Sequence, residues 1–84
     1  MIWLLEFTSA ASREIKKLDP SVRRQLETDL EHLASNPLQG EFLHGPLRGT
    51  RSWRTGDYRI LYGVHPLEQR LTIYRVAHRR EIYR

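Results

Sequence analysis

The chain has no cysteine, which excludes disulfide staples and thiolate metal sites and leaves stability to packing, within the chain or against a partner. Long hydrophobic runs are missing as well. In "MIWLLEFTSAASREIKK" five mostly apolar residues give way to polar ones, and neither a signal peptide nor a membrane span fits that pattern. A soluble, cytoplasmic protein with no membrane association is expected. His32, His44, His65 and His78 are far apart in the sequence and lack a carboxylate at ligand spacing, so neither a metal nor another cofactor is expected. "GPLRG" at 45–49 lacks the lysine and the helical context of a phosphate loop, and none of the serines sits in a nucleophile motif.

What is present is arginine, unevenly placed. The 84 residues favour one compact domain, residues 1–84, with a modest core. Residues 1–47 hold five cations against seven acids, a balance of −2, and residues 48–84 hold nine arginines against three acids, a balance of +6. Every cation of the second half is arginine, which suits planar, bidentate contact with phosphate or carboxylate. Such a basic half points to a polyanionic partner, an acidic protein or a nucleic acid; the plainer alternative is a mixed solvated surface.

Punctuation divides the chain into elements. "IWLLEF" at 2–7 is too short for a helix and reads as a buried strand. Thr8 or Ser9 can cap a following helix, in which Ala11, Ile15 and Leu18 recur at helical spacing. A second helix starts at Asp19-Pro20, buries the stripe Val22, Leu26, Leu30 and Leu33, and stops at Asn36-Pro37. With almost no linker between them, the two should form a hairpin. Residues 37–50 read as a loop tucked down by Leu38, Phe42, Leu43 and Leu47. Strands follow at about 51–55, 57–64 and 70–78, with "HPLEQ" as a turn and "EIY" at 81–83 as a candidate last strand. The expected fold is α+β: a small antiparallel β-sheet with an N-terminal helical hairpin packed on one face, in the order β-α-α-β-β-β. Trp3 or Leu4, Leu26, Leu30, Ile60 and Ile73 should fill the interface, leaving the other sheet face free.

Within "WRTGDYRILY" at 53–62 an arginine interrupts a strand flanked by tyrosines. If Val64 pairs with Leu71, Tyr62 faces Ile73, Tyr58 faces Ala77, and Arg59 sits opposite Val76 on the side of Tyr74 and His78. A slip of one residue would set Arg59 against Arg75, with a poorer apolar face. The tail "AHRREIYR" adds His78, Arg79, Arg80 and Tyr83. With Arg51, Arg54 and Arg59 these residues could form a basic groove, to which Arg48 and Arg75 add field. Such a groove suits RNA phosphodiester cleavage. A base takes the ribose 2′-OH proton, cations hold the charged phosphorane, and an acid protonates the leaving 5′-oxygen. His78 is the nearby group whose unperturbed pKa lies near neutrality; a tyrosine hydroxyl needs help from arginines or from RNA geometry. Each residue also has a structural alternative: His78 as a satisfied surface histidine, Tyr83 as edge packing, Trp3 and Trp53 as core.

The strand-helical-hairpin start, "LRGTRSWRTGDYRILY" at 47–62 and "VAHRREIY" at 76–83 resemble the RelE/ParE superfamily of toxin–antitoxin systems over nearly the whole chain. The resemblance implies a toxin bound by a cognate antitoxin in a hetero-oligomer. In the RelE branch it implies a ribosome-dependent endoribonuclease, an mRNA interferase acting on mRNA in the decoding site. It assigns phosphate or transition-state stabilisation to Arg59 and Arg79, and proton transfer or stacking to Tyr83, with His78 a candidate from relatives that use a histidine. Some relatives carry two basic residues on alternate positions before the glycine turn; Arg51 and Arg54 are three apart, so which of them serves stays open. The alternatives are a ParE-like DNA gyrase inhibitor, or a non-catalytic relative that only binds its antitoxin.

Overall fold

The computed structural model describes residues 2–43 and 49–81. Strand β1 (Leu4–Phe7) leads into helix α1 (Ser9–Lys16) and helix α2 (Pro20–Ser35), followed by strands β2 (Glu41–Phe42), β3 (Arg51–Thr55), β4 (Tyr58–His65) and β5 (Arg70–His78). Thr8 caps α1: its hydroxyl accepts from the Ala11 N–H at 3.1 Å and donates to the Tyr74 carbonyl at 2.8 Å, so one side chain starts the helix and ties it to β5. Asp19 occupies the N-cap of α2, but its carboxylate makes no capping hydrogen bond; Pro20 at the first helical position sets the helical φ instead. The corner between the helices is held from the other side. Arg23 donates to the carbonyls of Lys16 and Leu18, satisfying groups that the end of α1 leaves open.

The five strands form one sheet in the order β1-β5-β4-β3-β2. The expected antiparallel sheet is therefore mixed, because β1 runs parallel to β5, with Leu5 beside Leu71 and Phe7 beside Ile73. A two-residue strand, β2, also appears within the stretch read as loop. Both helices lie on one face, with the anticipated stripes: Ala11, Leu18, Leu26, Leu30 and Leu33 close over Ile60, Tyr62, Leu71, Ile73 and Val76. Trp3, not Leu4, packs there; Leu4 is 70% exposed on the edge strand. Leu38 and Phe42 are exposed as well, Leu43 packs on the opposite sheet face, and Leu47 lies outside the described residues. The segment after α2 is held instead by the buried Tyr62, whose hydroxyl donates to the Pro37 carbonyl at 2.8 Å and accepts from the Gly40 N–H at 2.9 Å.

Register starts as the sequence predicts and then departs. Val64 pairs with Leu71 and Tyr62 with Ile73, but a bulge intervenes and Leu61 pairs with Arg75. Beyond it Ile60 meets Val76, Arg59 meets Ala77 and Tyr58 meets His78. An extra residue on one strand reverses the parity of everything after it. Val76 and His78 thus move to the helix side, away from Arg59. At the end of β5, residues 79–81 form a turn, and the rest of the candidate strand at 81–83 falls outside the described residues.

Candidate functional site

The sheet face without helices carries the arginine cluster. Arg54 and Arg59 are direct Cα partners across the β3–β4 hairpin. Alternation puts Ser52 and Arg54 of β3, Arg59 and Leu61 of β4, and Ala77 of β5 on this one side. Arg59 Nη1 donates to the buried Ser52 hydroxyl at 3.1 Å, which fixes the guanidinium over the sheet. Leu61 and Ala77, with Leu43 against them, make an apolar floor beside it. The Arg79 N–H donates to the Asp57 carbonyl at 2.9 Å. That bond continues the β4–β5 register by one step and sets the Arg79 backbone beside Asp57, at the Arg54–Arg59 end of the hairpin. Two paired arginines, with Arg79 in the turn at the same end of the sheet, make a geometry suited to phosphate oxygens.

Other sequence candidates go elsewhere. Arg51 points to the opposite side, donating to the Gly40 carbonyl at 2.9 Å and lying 5.3 Å from the centre of the Phe42 ring. Of the two basic residues before the glycine turn, Arg54 is the one on the open face. Arg75 forms a two-pronged ion pair with Glu14 of α1, at 2.7 Å from Nη2 to Oε2. The same carboxylate accepts from the Val76 N–H at 2.9 Å. Burial pushes the Glu14 pKa up, but the bonds from Arg75 and Val76 outweigh it and hold the carboxyl below its usual range. Arg80 is exposed, and its N–H donates to His78 Nδ1 at 3.2 Å. Arg48 and Tyr83 lie outside the described residues.

His78 stands edge-on to Tyr58, ring centroids 5.6 Å apart. It lines a cleft of about 400 Å³ with Glu14, Lys17, Leu18, Tyr58 and Val76. The cleft lies on the helix side, so the imidazole and the Arg59 guanidinium project from opposite faces. Ser52 of the open face escaped the sequence reading, although alternation from Arg54 could have found it. Tyr74, whose ring covers Gly63, lies on the side of Arg59, as the sequence reading placed it.

The model of the ParE toxin of type II toxin–antitoxin systems matches residues 5–83. This chain belongs to that family. The toxin is 37% identical to Toxin RelG of Mycobacterium tuberculosis over 100% of its length and 99% of the relative's. It is 32% identical to Toxin RelE of the same organism, over 92% of the chain and 81% of the relative. Its fold matches a chain in the toxin–antitoxin complex RelBE2 from Mycobacterium tuberculosis with a TM-score of 0.88 and 33% identity, covering 94% of this toxin and 93% of that chain. The intact Escherichia coli RelBE complex gives a TM-score of 0.77 at 23% identity, over 90% and 95% of the two chains, a likeness of fold alone. The toxin therefore sits within the RelE/ParE superfamily anticipated from its motifs, with two helices on a five-stranded mixed sheet. Among the described residues no helix is long and apolar enough to cross a membrane.

Proposed function

We propose that this toxin is an endoribonuclease that cuts mRNA on the ribosome and is neutralised in a complex with a cognate antitoxin. The observation that carries the reading is the pairing of Arg54 with Arg59 on the helix-free sheet face, with Arg79 in the turn at the same end. In the reaction the ribose 2′-oxygen attacks the adjacent phosphorus and the bond to the 5′-oxygen breaks. The products are a 2′,3′-cyclic phosphate and a 5′-hydroxyl. The phosphorane between them carries extra negative charge, and Arg59, held by Ser52, and Arg79 stabilise it; Arg54 holds the neighbouring phosphate. Tyr83, four residues beyond Arg79, is the proposed proton-transfer group. A guanidinium stays protonated and is a poor base, and His78 projects from the other face. Among the described residues no neutral-range base lies beside the arginines, a shortage that supports dependence on the ribosome, where in-line geometry would be imposed and the rate raised. An acidic antitoxin segment over residues 48–84 fits the charge of +6 there.

The second reading, a DNA gyrase inhibitor, is favoured by the same shortage together with the ParE family match. Primer extension on a reporter mRNA, with and without its start codon, separates the two. New 5′ ends on the translated message alone, lost with Arg59→Ala, are expected. Intact message in arrested cells with a DNA-damage response would move the function to gyrase.

A further inference from the structure

The open face carries one more feature. At Gly63 of β4 an added Cβ would lie 2.6 Å from the Tyr74 hydroxyl and 2.9 Å from its ring. The ring of Tyr74 therefore lies over Gly63, on the face of Arg59 and Leu61, because Arg59, Leu61 and Gly63 share one parity along β4. Tyr74 takes that side by alternation from the core residue Ile73, and its carbonyl is held there by the Thr8 hydroxyl. The residue remains 37% exposed, so part of the ring meets solvent.

We propose that Tyr74 is a nucleobase-stacking platform and that single-stranded RNA runs from the arginine cluster across Leu61 to this ring. The inference rests on the RNA-cleaving reading and extends its site. Four residue steps along β4 separate Arg59 from Gly63, about 13 Å, the reach of a dinucleotide. The surface changes along that path from cationic (Arg54, Arg59, Arg79) through apolar (Leu61, Ala77) to aromatic. That order matches a phosphate, a sugar and a base laid side by side. Aromatic rings accept any base because each base has a π-face, while guanidiniums hold the backbone. A tyrosine covering a strand glycine also shields backbone, so the test separates shielding from stacking.

The experiment titrates the purified toxin with a short, fully 2′-O-methylated oligoribonucleotide, which cannot be cut, and with an abasic strand of equal length. Tyr74→Leu keeps an apolar cover over Gly63 but removes the π-face; Tyr74→Phe keeps both. Tyr74→Leu should weaken the base-bearing strand about tenfold and leave the abasic strand unchanged, with Tyr74→Phe close to wild type. Equal loss for both strands, or no loss, would overturn the platform. Arg59→Ala distinguishes that failure from a failure of the RNA reading. If Arg59 matters and Tyr74 does not, only the platform falls; if neither matters, both fall. If Tyr74→Leu weakens a purified antitoxin and not the oligonucleotide, the ring serves a protein partner and the assignment to RNA is wrong.

Discussion

Arg54 and Arg59 face each other directly across the β3–β4 hairpin, two like charges at paired positions of one sheet. Like charges directly opposite destabilise a strand pair by about 0.2–1 kcal/mol, so the toxin holds this pair against its own stability. Arg54→Gln should raise the melting temperature by about 2–4 °C at low salt and lower toxicity. The gain should shrink in about 1 M salt, where screening acts over a few ångströms. A melting temperature unchanged at low salt would mean that the two guanidiniums avoid each other.

Ser52 is 3% exposed and its hydroxyl oxygen accepts from Arg59 Nη1. Ser52→Ala should cost about 1 kcal/mol of stability. On the proposed endoribonuclease reading, its effect on cleavage should be larger, about tenfold in rate, since a freed guanidinium no longer waits where charge develops. Single-turnover cleavage beside a denaturant melt checks both numbers.

Glu14 joins α1 to β5 through Arg75 and the Val76 N–H beside the bulge. Its carboxyl titrates below the usual range in the folded state, so unfolding takes up a proton at acid pH. The contribution is complete above the unfolded carboxylate value of about 4.3 and fades as pH falls through the lower folded value. Glu14→Gln should lower stability near neutrality by about 1 kcal/mol, a modest figure because the pair is partly solvated. It should also remove part of the acid limb in melts from pH 6 to 3. Parallel curves for wild type and variant would show that other carboxylates set that limb.

Tyr62 bridges the Pro37 carbonyl and the Gly40 N–H from inside the core, where burial pushes its own pKa up. Tyr62→Phe leaves both backbone groups without that partner and should cost about 1–3 kcal/mol. Hydrogen exchange at Gly40 should accelerate more than exchange in α2. Gly40→Ala should destabilise too, since its Cβ would press on the Tyr62 hydroxyl.

Most elements were legible in the sequence because each carries its own punctuation: Thr8 before α1, Pro20 at the start of α2, Asn36-Pro37 after it, Gly56 in the β3–β4 turn. The β4–β5 pairing could be read from the turn as far as Tyr62 and Ile73. It failed beyond that point because nothing in "LTIYRVAH" announces an extra residue; the backbone groups flanking the bulge bond to Thr8 and Glu14, distant in sequence. That one event explains why Arg59 meets Ala77 instead of Val76, and why His78 parts from the arginines. Arg51 and Arg54 could be assigned to opposite faces by alternation, but which one faced outward depended on Gly40 and Phe42. Arg75 looked like free charge because its partner lies on α1. The parallel placement of β1 was hidden for a related reason: pairing direction is a property of two distant segments.

That parallel placement has a kinetic consequence. The β3–β4–β5 meander closes over short turns, whereas β1 must find a partner across a separation of 66 residues, Leu4 beside Arg70. Closing so long a loop costs entropy before any contact offsets it. The expected folding order is meander first and β1 last, with small φ-values at Leu5 and large ones at Ile60 and Val76. Arg54, Arg59 and Arg79 would then come together early, on a half-built sheet, while the strand that opens the chain is still searching for its edge.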